Sequence, residues 1–323
     1  EASELIRHFL LETPTLSIRD VREDASWMFA PIAVTDNATR QIVNMSKLRR
    51  FALSTNQPII RWRRPLVGRQ AIRISSNHLN SIYRLVPELH GYYVFGAPVV
   101  VTSNINTDLL IANGTEGRMH SLIYGDSDLS DVERRIDQSR SGHFVDLREA
   151  PEYMNIEFDF NIPEGVSVCA NVVPIGTEKA KINLSKYLHS DHEGKFELTM
   201  QRHPIELGFS LTFHKLQGKT CPKLVICVDK QIPALTYHLL YVGISRVKKA
   251  EHLKFITFAK NASRNHLLSL KPNQHLVQWE LNRARNKRSR PEMSTASSST
   301  SSSGRIEAPA PSRCTRRSKR RRS

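Results

Sequence analysis

The 323 residues are 39% hydrophobic and 24% charged, enough apolar content for the packed core of one large domain or two ordinary ones. No stretch approaches the ~20 uninterrupted apolar residues of a membrane span, and the amino-terminal EASELIRHFLLETP lacks the basic-then-apolar layout of a signal peptide, so a soluble, intracellular protein with no membrane partner is expected. The formal charge of +16 is uneven: residues 283–323 hold 13 Lys+Arg against two acids, which leaves +5 for the rest and moves the weight of any nucleic-acid reading onto local motifs.

The first residue is Glu, as expected of a processed chain or a piece of a longer one. PIAVT (31–35) is a short apolar run, and Asp36 and Asn37 can cap the helix that follows. That helix is expected to place Ile42, Val43, Leu48 and Phe51 on one face, with Arg40, Lys47, Arg49 and Arg50 elsewhere. PIIRW, GAPVVVTSNI and RMHSLIYG read as strands, with NGTEG as a turn built on Gly114 and Gly117. From about 125 to 202 short alternating segments such as NIEFDF and VSVCANVV read as a small β-rich insertion. KLVICVD (223–229) and HLKFITF are buried-strand patterns flanking LTYHLLYVGIS, a helix with apolar residues nearly all round, whose character implies burial. Strand, helix, strand without polar alternation is what a parallel sheet covered on both faces requires, so the class is α/β.

STASSSTSSSG and the basic clusters RNKRSR and RRSKRRRS cannot bury apolar surface, so the chain from about 283 on is expected to be disordered. The clusters read as a nuclear-import signal or a nonspecific phosphate-binding arm and predict a nuclear protein; a solvated charge run fits the same composition. Cys169, Cys221, Cys227 and Cys314 form no C-x-x-C pair, as expected of buried or idle thiols. No metal site is predicted from the chain's own residues.

Two segments carry candidate chemistry, LGFSLTFHKLQGKTCPKLVICVD (207–229) and LLYVGISRVKKAEHLKFI (239–256). Gly218-Lys219-Thr220 has the ending of a phosphate-binding P-loop, but G-x-x-x-x-G-K-S/T needs glycine where Phe213 stands, and such a loop needs a strand running in and a helix leaving. With Pro222 following the threonine, no P-loop is expected. The segment instead gathers a hydroxyl (Thr212), an imidazole (His214), an ammonium (Lys215), an amide (Gln217) and a flexible Gly218. Such a set can hold phosphodiester oxygens without reading bases; an ordinary polar loop between core strands fits the same residues. Arg246 follows the apolar helix, with Ser245 before it and Lys248 and Lys249 after. A guanidinium there suits stabilisation of phosphoryl charge from a facing domain, or a surface ion pair.

Taken together, T-x-H-K-x-Q-G-x-T and, after about twenty residues, Y-V-x-x-S-R resemble motifs V and VI of superfamily 1B helicases, in particular the Pif and Helitron-type branch. The resemblance extends upstream through FGAPVVVTSNINTDLLIANGTEGRM (95–119), QPIIRW and FAPIAVTDNATRQIVN, covering about residues 25–258. It implies a second RecA-like motor domain, a largely parallel sheet flanked by helices, over 25–119 and 203–270. Residues 120–202 would be its β-rich insertion, 1–24 the end of a preceding helicase segment or linker, and 271–323 a disordered tail. Thr212 and His214 would contact the phosphates of single-stranded or forked DNA, with Lys215 in support. Gln217, Gly218 and Thr220 would couple that grip to the nucleotide, and Arg246 would be the arginine finger on the γ-phosphate of ATP bound with Mg. The family's P-loop and Asp-Glu magnesium pair lie in an amino-terminal helicase domain and would precede residue 1, which makes that missing domain an implied partner and the chain inactive by itself. The implied function is the carboxy-terminal part of an ATP-dependent 5′-to-3′ DNA helicase of the replication, repair, recombination or telomere-maintenance type. The alternative is a truncated, inactive nucleic-acid-binding relic of a Helitron-like mobile element.

Overall fold

A short parallel sheet organises the computed structural model, which describes residues 12–124, 129–163, 165, 167–185, 197–229, 235–258, 265–275, 277–279 and 282. Its strands β13 (Ser210–Thr212), β1 (Ile32–Val34), β14 (Leu224–Cys227) and β15 (Leu253–Ile256) lie in the order β13-β1-β14-β15, every neighbouring pair parallel. Side chains alternate between two buried faces. Ala33, Leu224 and Ile226 join a cluster with Phe213, Leu216 and Leu240, whereas Ile32, Val34, Val225 and Cys227 join one with Trp27, Ala30 and Val43. A sheet buried on both sides has no use for polar alternation, and the expected α/β class follows from it.

One face is covered by α2 (Asn37–Ser54), the other by α6 (Phe213–Leu216) and α7 (Tyr237–Ile244). Asp36 caps α2, its carboxylate accepting from Thr39 N–H at 2.8 Å. The buried stripe of α2 is Arg40, Val43, Asn44, Leu48 and Ala52, while Ile42 is 72% exposed. The apolar face predicted from sequence is therefore rotated: Ile42 falls beside the stripe, and Arg40 falls on it because a carboxylate described below meets it. Asn44 has a structural task. β13 is an edge strand, and the Asn44 amide both accepts from Ser210 N–H (2.8 Å) and donates to Ser210 C=O (3.3 Å), standing in for a missing neighbour strand.

The segment ahead of β1 docks on the opposite edge. Leu16 N–H donates to Phe255 C=O and Phe255 N–H to Pro14 C=O, at 2.8 and 2.9 Å. Helix α1 (Ile18–Glu23) and the turn Ala25–Met28 are held by ion pairs of Lys254 with Asp20 and Lys223 with Asp24, both ammoniums lying about 5 Å from the Trp27 ring centre.

Three further sheets complete the unit. β12 (Ile205–Leu207), β5 (Pro98–Val101), β6 (Glu116–Ile123), β8 (Tyr153–Glu157) and β9 (Val172–Ile175) form an antiparallel five-stranded sheet in that order. β2 (Ile59–Arg63) lies between antiparallel β4 (His90–Tyr93) and parallel β7 (Phe144–Asp146). β11 (Glu197–Arg202) pairs with β10 (Glu178–Asn183) and β3 (Leu66–Val67), the last followed by α3 (Arg69–Ile72) and then by α4 (Ser76–Leu85), which packs on this sheet through Ile82 and Tyr83. The 120–202 stretch is β-rich, and its strands are shared out: β7 joins β2, β8 and β9 extend the sheet of β5 and β6, and β11 joins β3. It also carries α5 (Leu129–Asp137).

Of the two glycines read as one turn, Gly114 has φ +99° and turns the chain, but Gly117 lies within β6. A Cβ there would stand 2.6 Å from Ile156 Cγ2 and 2.8 Å from the Glu157 carbonyl oxygen, so Gly117 serves the close approach of β8. Helix α8 (Asn265–Leu268) closes the main unit, which ends at Pro272; in the second unit Val277 N–H donates to Asn273 C=O at 3.1 Å. The tail read as disordered from 283 on lies outside the described residues. No described helix is long and apolar enough to cross a membrane.

The Asn44 clamp has a measurable cost of removal. Asn44→Ala leaves the buried Ser210 N–H unpaired and is expected to lower unfolding free energy by about 2 kcal/mol, read as a lower denaturant midpoint with an unchanged slope. An unchanged midpoint would contradict the edge-strand role.

Candidate functional site

Strand β13 delivers the first predicted site residue to the end of the parallel sheet. Thr212 is its last residue, paired with Val34 of β1, and is also the residue before α6. Its hydroxyl makes no capping bond. In the single turn of α6, Phe213 and Leu216 are buried anchors at i and i+3, which turns His214 outward and leaves Lys215 half-buried. Gln217 ends the turn, and Gly218 follows at φ +79°, the left-handed position beyond a helix end that glycine fills without steric penalty. Gln217, Gly218 and Thr220 are all exposed. Gly218-Lys219-Thr220 therefore leaves a helix and enters β14, the reverse of a P-loop's strand-to-helix order.

Helix α7 brings Arg246 to the same loop. Thr236 caps it, its hydroxyl accepting from Leu239 N–H at 3.3 Å, and Gly243 lets it settle on the sheet. A Cβ at Gly243 would lie 2.6 Å from Ile226 Cδ1 and 2.9 Å from a Phe213 ring carbon. The burial implied by its apolar sequence is only half met: Leu240 and Gly243 are buried, and Tyr241 is 64% exposed. Beyond α7 the Arg246 guanidinium donates to Val242 C=O (3.0 Å), to Ser245 Oγ (2.8 Å) and to Lys219 C=O (3.3 Å), while Cys221 N–H donates to Arg246 C=O (2.8 Å). Each terminal guanidinium nitrogen keeps a second N–H beyond these bonds. The two motifs are thus hydrogen-bonded to each other.

Behind α6 lies a carboxylate that sequence reasoning missed. Glu206, in β12, is bound by Arg40 of α2 and by Lys215 Nζ at 2.6 Å. Burial works against its ionisation, but the Arg40 hydrogen bond, the Arg40 charge and Lys215 outweigh it and hold the carboxyl at about 2. Lys215 is therefore half-neutralised from behind, and of the three residues predicted to bind DNA only Thr212 and His214 present groups without such a counter-ion. Lys219 is likewise paired, with Glu116 at 2.5 Å. Arg40 and Glu206 are 166 residues apart, a pairing no local motif reveals.

Lys219 has its ammonium on Glu116 and its carbonyl on Arg246, so Gly218-Lys219-Thr220 is no triphosphate cradle. Among the described residues no three His, Cys, Asp or Glu side chains are placed to hold a metal ion. What the geometry supplies is an exposed polar turn, His214, Gln217, Gly218 and Thr220, hydrogen-bonded to Arg246 through the loop that follows. Cys221 and Cys227 are free and buried, and burial pushes the Cys227 thiol up to about 12 and that of Cys221 upward, as inert thiols require. Cys169 is free and exposed, and Cys314 lies outside the described residues.

No protein-family model and no curated protein sequence matches the chain. Among solved structures it is similar to the Pif1 helicase from Candida albicans, with a TM-score of 0.48 at 17% identity over 85% of this chain and 53% of that one. Bacteroides Pif1 bound to ssDNA gives 0.43 at 18% identity, covering 80% and 46% of the two chains. Unliganded Pif1 from Bacteroides sp gives 0.42 at 18%, covering 88% and 50%. The chain spans about half the length of these proteins.

The Glu206 pairing predicts an acid-sensitive site. Because the folded value lies below the ordinary ~4.3 of an unfolded glutamate, the stabilisation is present above about 4.3 and is lost as pH falls towards 2. Glu206→Ala, which strands Arg40 in a buried position, is expected to destabilise by about 3 kcal/mol at pH 7 and to lessen the pH dependence of the unfolding midpoint between pH 5 and pH 2, the remainder belonging to carboxyls such as Asp20 and Asp24 that are also held low. An unaltered profile would remove Glu206 from the acid response.

Proposed function

We propose that this chain is the second motor half of an ATP-dependent DNA helicase, gripping single-stranded DNA at α6 and offering Arg246 to a nucleotide held by an amino-terminal RecA-like domain. The observation that carries the reading is the bond pair joining Arg246 to the loop after α6, Arg246 to Lys219 C=O and Cys221 to Arg246 C=O. A loop that touches a DNA backbone and an arginine that touches a phosphoryl group are useful to a motor only if one moves with the other. Thr212 and His214 contact phosphates, Lys215 adds a partly neutralised positive field, and Gln217, Gly218 and Thr220 transmit strain to Arg246. ATP and Mg are held by groups of the partner domain, and Arg246 supplies positive charge where the γ-phosphoryl oxygens gather it. Translocation from 5′ to 3′, a role in replication, repair, recombination or telomere maintenance, and a nuclear location belong to the same proposal.

The test uses the full chain. Thr212→Ala with His214→Ala is expected to weaken binding of a labelled oligothymidylate by on the order of a hundredfold, the worth of two charge-assisted hydrogen bonds at about 1.5 kcal/mol each. Fused to a P-loop-bearing RecA-like domain, the chain is expected to show DNA-stimulated ATP hydrolysis that falls about a thousandfold on Arg246→Ala. Turnover by the 323-residue chain alone would overturn the division of labour. The mobile-element relic is motivated by the +11 carried by residues 283–323. DNA binding that survives the α6 substitutions and disappears with those residues would leave the tail alone responsible and overturn the assignment of the grip to α6.

A further inference from the structure

An open cleft of about 840 Å³ is walled by β2, β4, α5 and the end of β7. Five of its lining side chains are arginines: Arg61 and Arg63 of β2, Arg134 and Arg135 of α5, and Arg148 just beyond β7. Two carboxylates oppose them. Asp146 is gripped by Arg61 through two bonds of 2.5 and 2.7 Å. Asp131 is shared by Arg134 at 2.6 Å, Arg135 at 3.7 Å and Arg148 at 3.8 Å, so one negative charge serves three guanidiniums. Only His90 could add further charge, and burial, then Arg61 and Arg63, holds it at about 4, so it is neutral at pH 7. The cleft keeps three positive charges in excess.

Its arginines are also braced. The Arg61 guanidinium lies 4.5 Å from the centre of the Phe144 ring and that of Arg63 lies 5.1 Å from the centre of Tyr83, with Arg63 donating to Asn80 at 2.8 Å. Every cation here is arginine, the side chain whose planar fork fits phosphate oxygens in pairs. The basic residues 283–323 have the wrong sign of charge to be the cleft's ligand. We propose that this cleft is a second phosphate-binding site, separate from α6, that takes the phosphodiester backbone of a nucleic-acid strand. Of the proposed function it needs only that the chain handles nucleic acid. Guanidiniums from three elements around an open trough, with three charges left over after Asp131 and Asp146, suit successive phosphates along a strand, and an acidic peptide is the competitor that the experiment separates.

The experiment follows binding of a 20-nucleotide oligothymidylate, a duplex of equal length, inorganic tripolyphosphate and a polyglutamate peptide to the full chain. Arg134→Gln with Arg148→Gln is the variant; their side chains are 67% and 72% exposed, so the fold is expected to survive, as the unfolding midpoint will show. Oligonucleotide affinity is expected to fall about tenfold, and the slope of log affinity against log salt to shrink by about 1.4 for two lost contacts on the single strand. Arg134→Lys with Arg148→Lys is expected to restore the slope but not the full affinity. Affinity within twofold of the parent with an unchanged slope overturns the proposal, as does a loss confined to tripolyphosphate or to polyglutamate. Should the variant unfold, photocross-linking of an iodouridine oligonucleotide to the parent chain decides: label on residues 131–148 supports the cleft, and its absence overturns it. Thr212→Ala with His214→Ala is measured in parallel. A response there alone sinks the cleft and spares the proposed function, and a response at the cleft alone does the reverse.

Discussion

The two hydrogen bonds between the Asn44 amide and the backbone of Ser210 are the constraint on which the site rests. Strand β13 is three residues long and has a neighbour on one side only. An edge strand so short, buried against α2, would leave a donor and an acceptor without partners, each costing about as much as the strand's own pairing contributes. By meeting both, Asn44 fixes where β13 ends, and with it the position of Thr212 and the start of α6. The Ser210 hydroxyl, donating to Ile32 C=O at 2.9 Å, ties the same residue to β1. Everything polar at the end of the sheet is referenced to that one position.

Much of this arrangement was legible in the sequence, and the missing parts share a cause. KLVICVD and HLKFITF announce a doubly buried parallel sheet because neither alternates with polar residues. Asp36 announces a cap, and Pro222 with Phe213 rules out a P-loop before any coordinate is known. What was not legible depends on partners distant in the chain. Arg40 on the buried stripe of α2 makes sense only once Glu206 is placed beside it, and Asn44 reads as one more polar helix residue until β13 is seen to be an edge. The same holds for Gly117, which resembles a turn glycine until β8 is laid across it. Local periodicity reports burial; it does not report what a buried polar atom will find there.

The site residues divide accordingly. Thr212 ends β13, His214, Gln217, Gly218 and Thr220 follow in the exposed turn of α6 and the loop beyond it, Arg246 is hydrogen-bonded to that loop, and Lys215 comes with a counter-ion that the sequence does not show. Around the parallel sheet positive charge is largely paired. Lys215, Lys219, Lys223 and Lys254 each have a carboxylate, whereas the arginines around Asp131 outnumber theirs. An excess of charge that survives such pairing says more about an anionic partner than an isoelectric point does.

The crossed bonds between Arg246 and the loop after α6 have a consequence for how such a chain can vary. Lys219 and Cys221 take part through backbone atoms alone, and the side chain of Thr220 between them points to solvent. Residue identity at 219–221 is therefore weakly constrained by the joint, whereas the number of residues is strongly constrained: one insertion or deletion would throw the carbonyl of 219 and the amide of 221 out of register together. Whatever else holds Lys219 on Glu116 and Cys221 in the core, the joint itself fixes the count of these residues and not their letters.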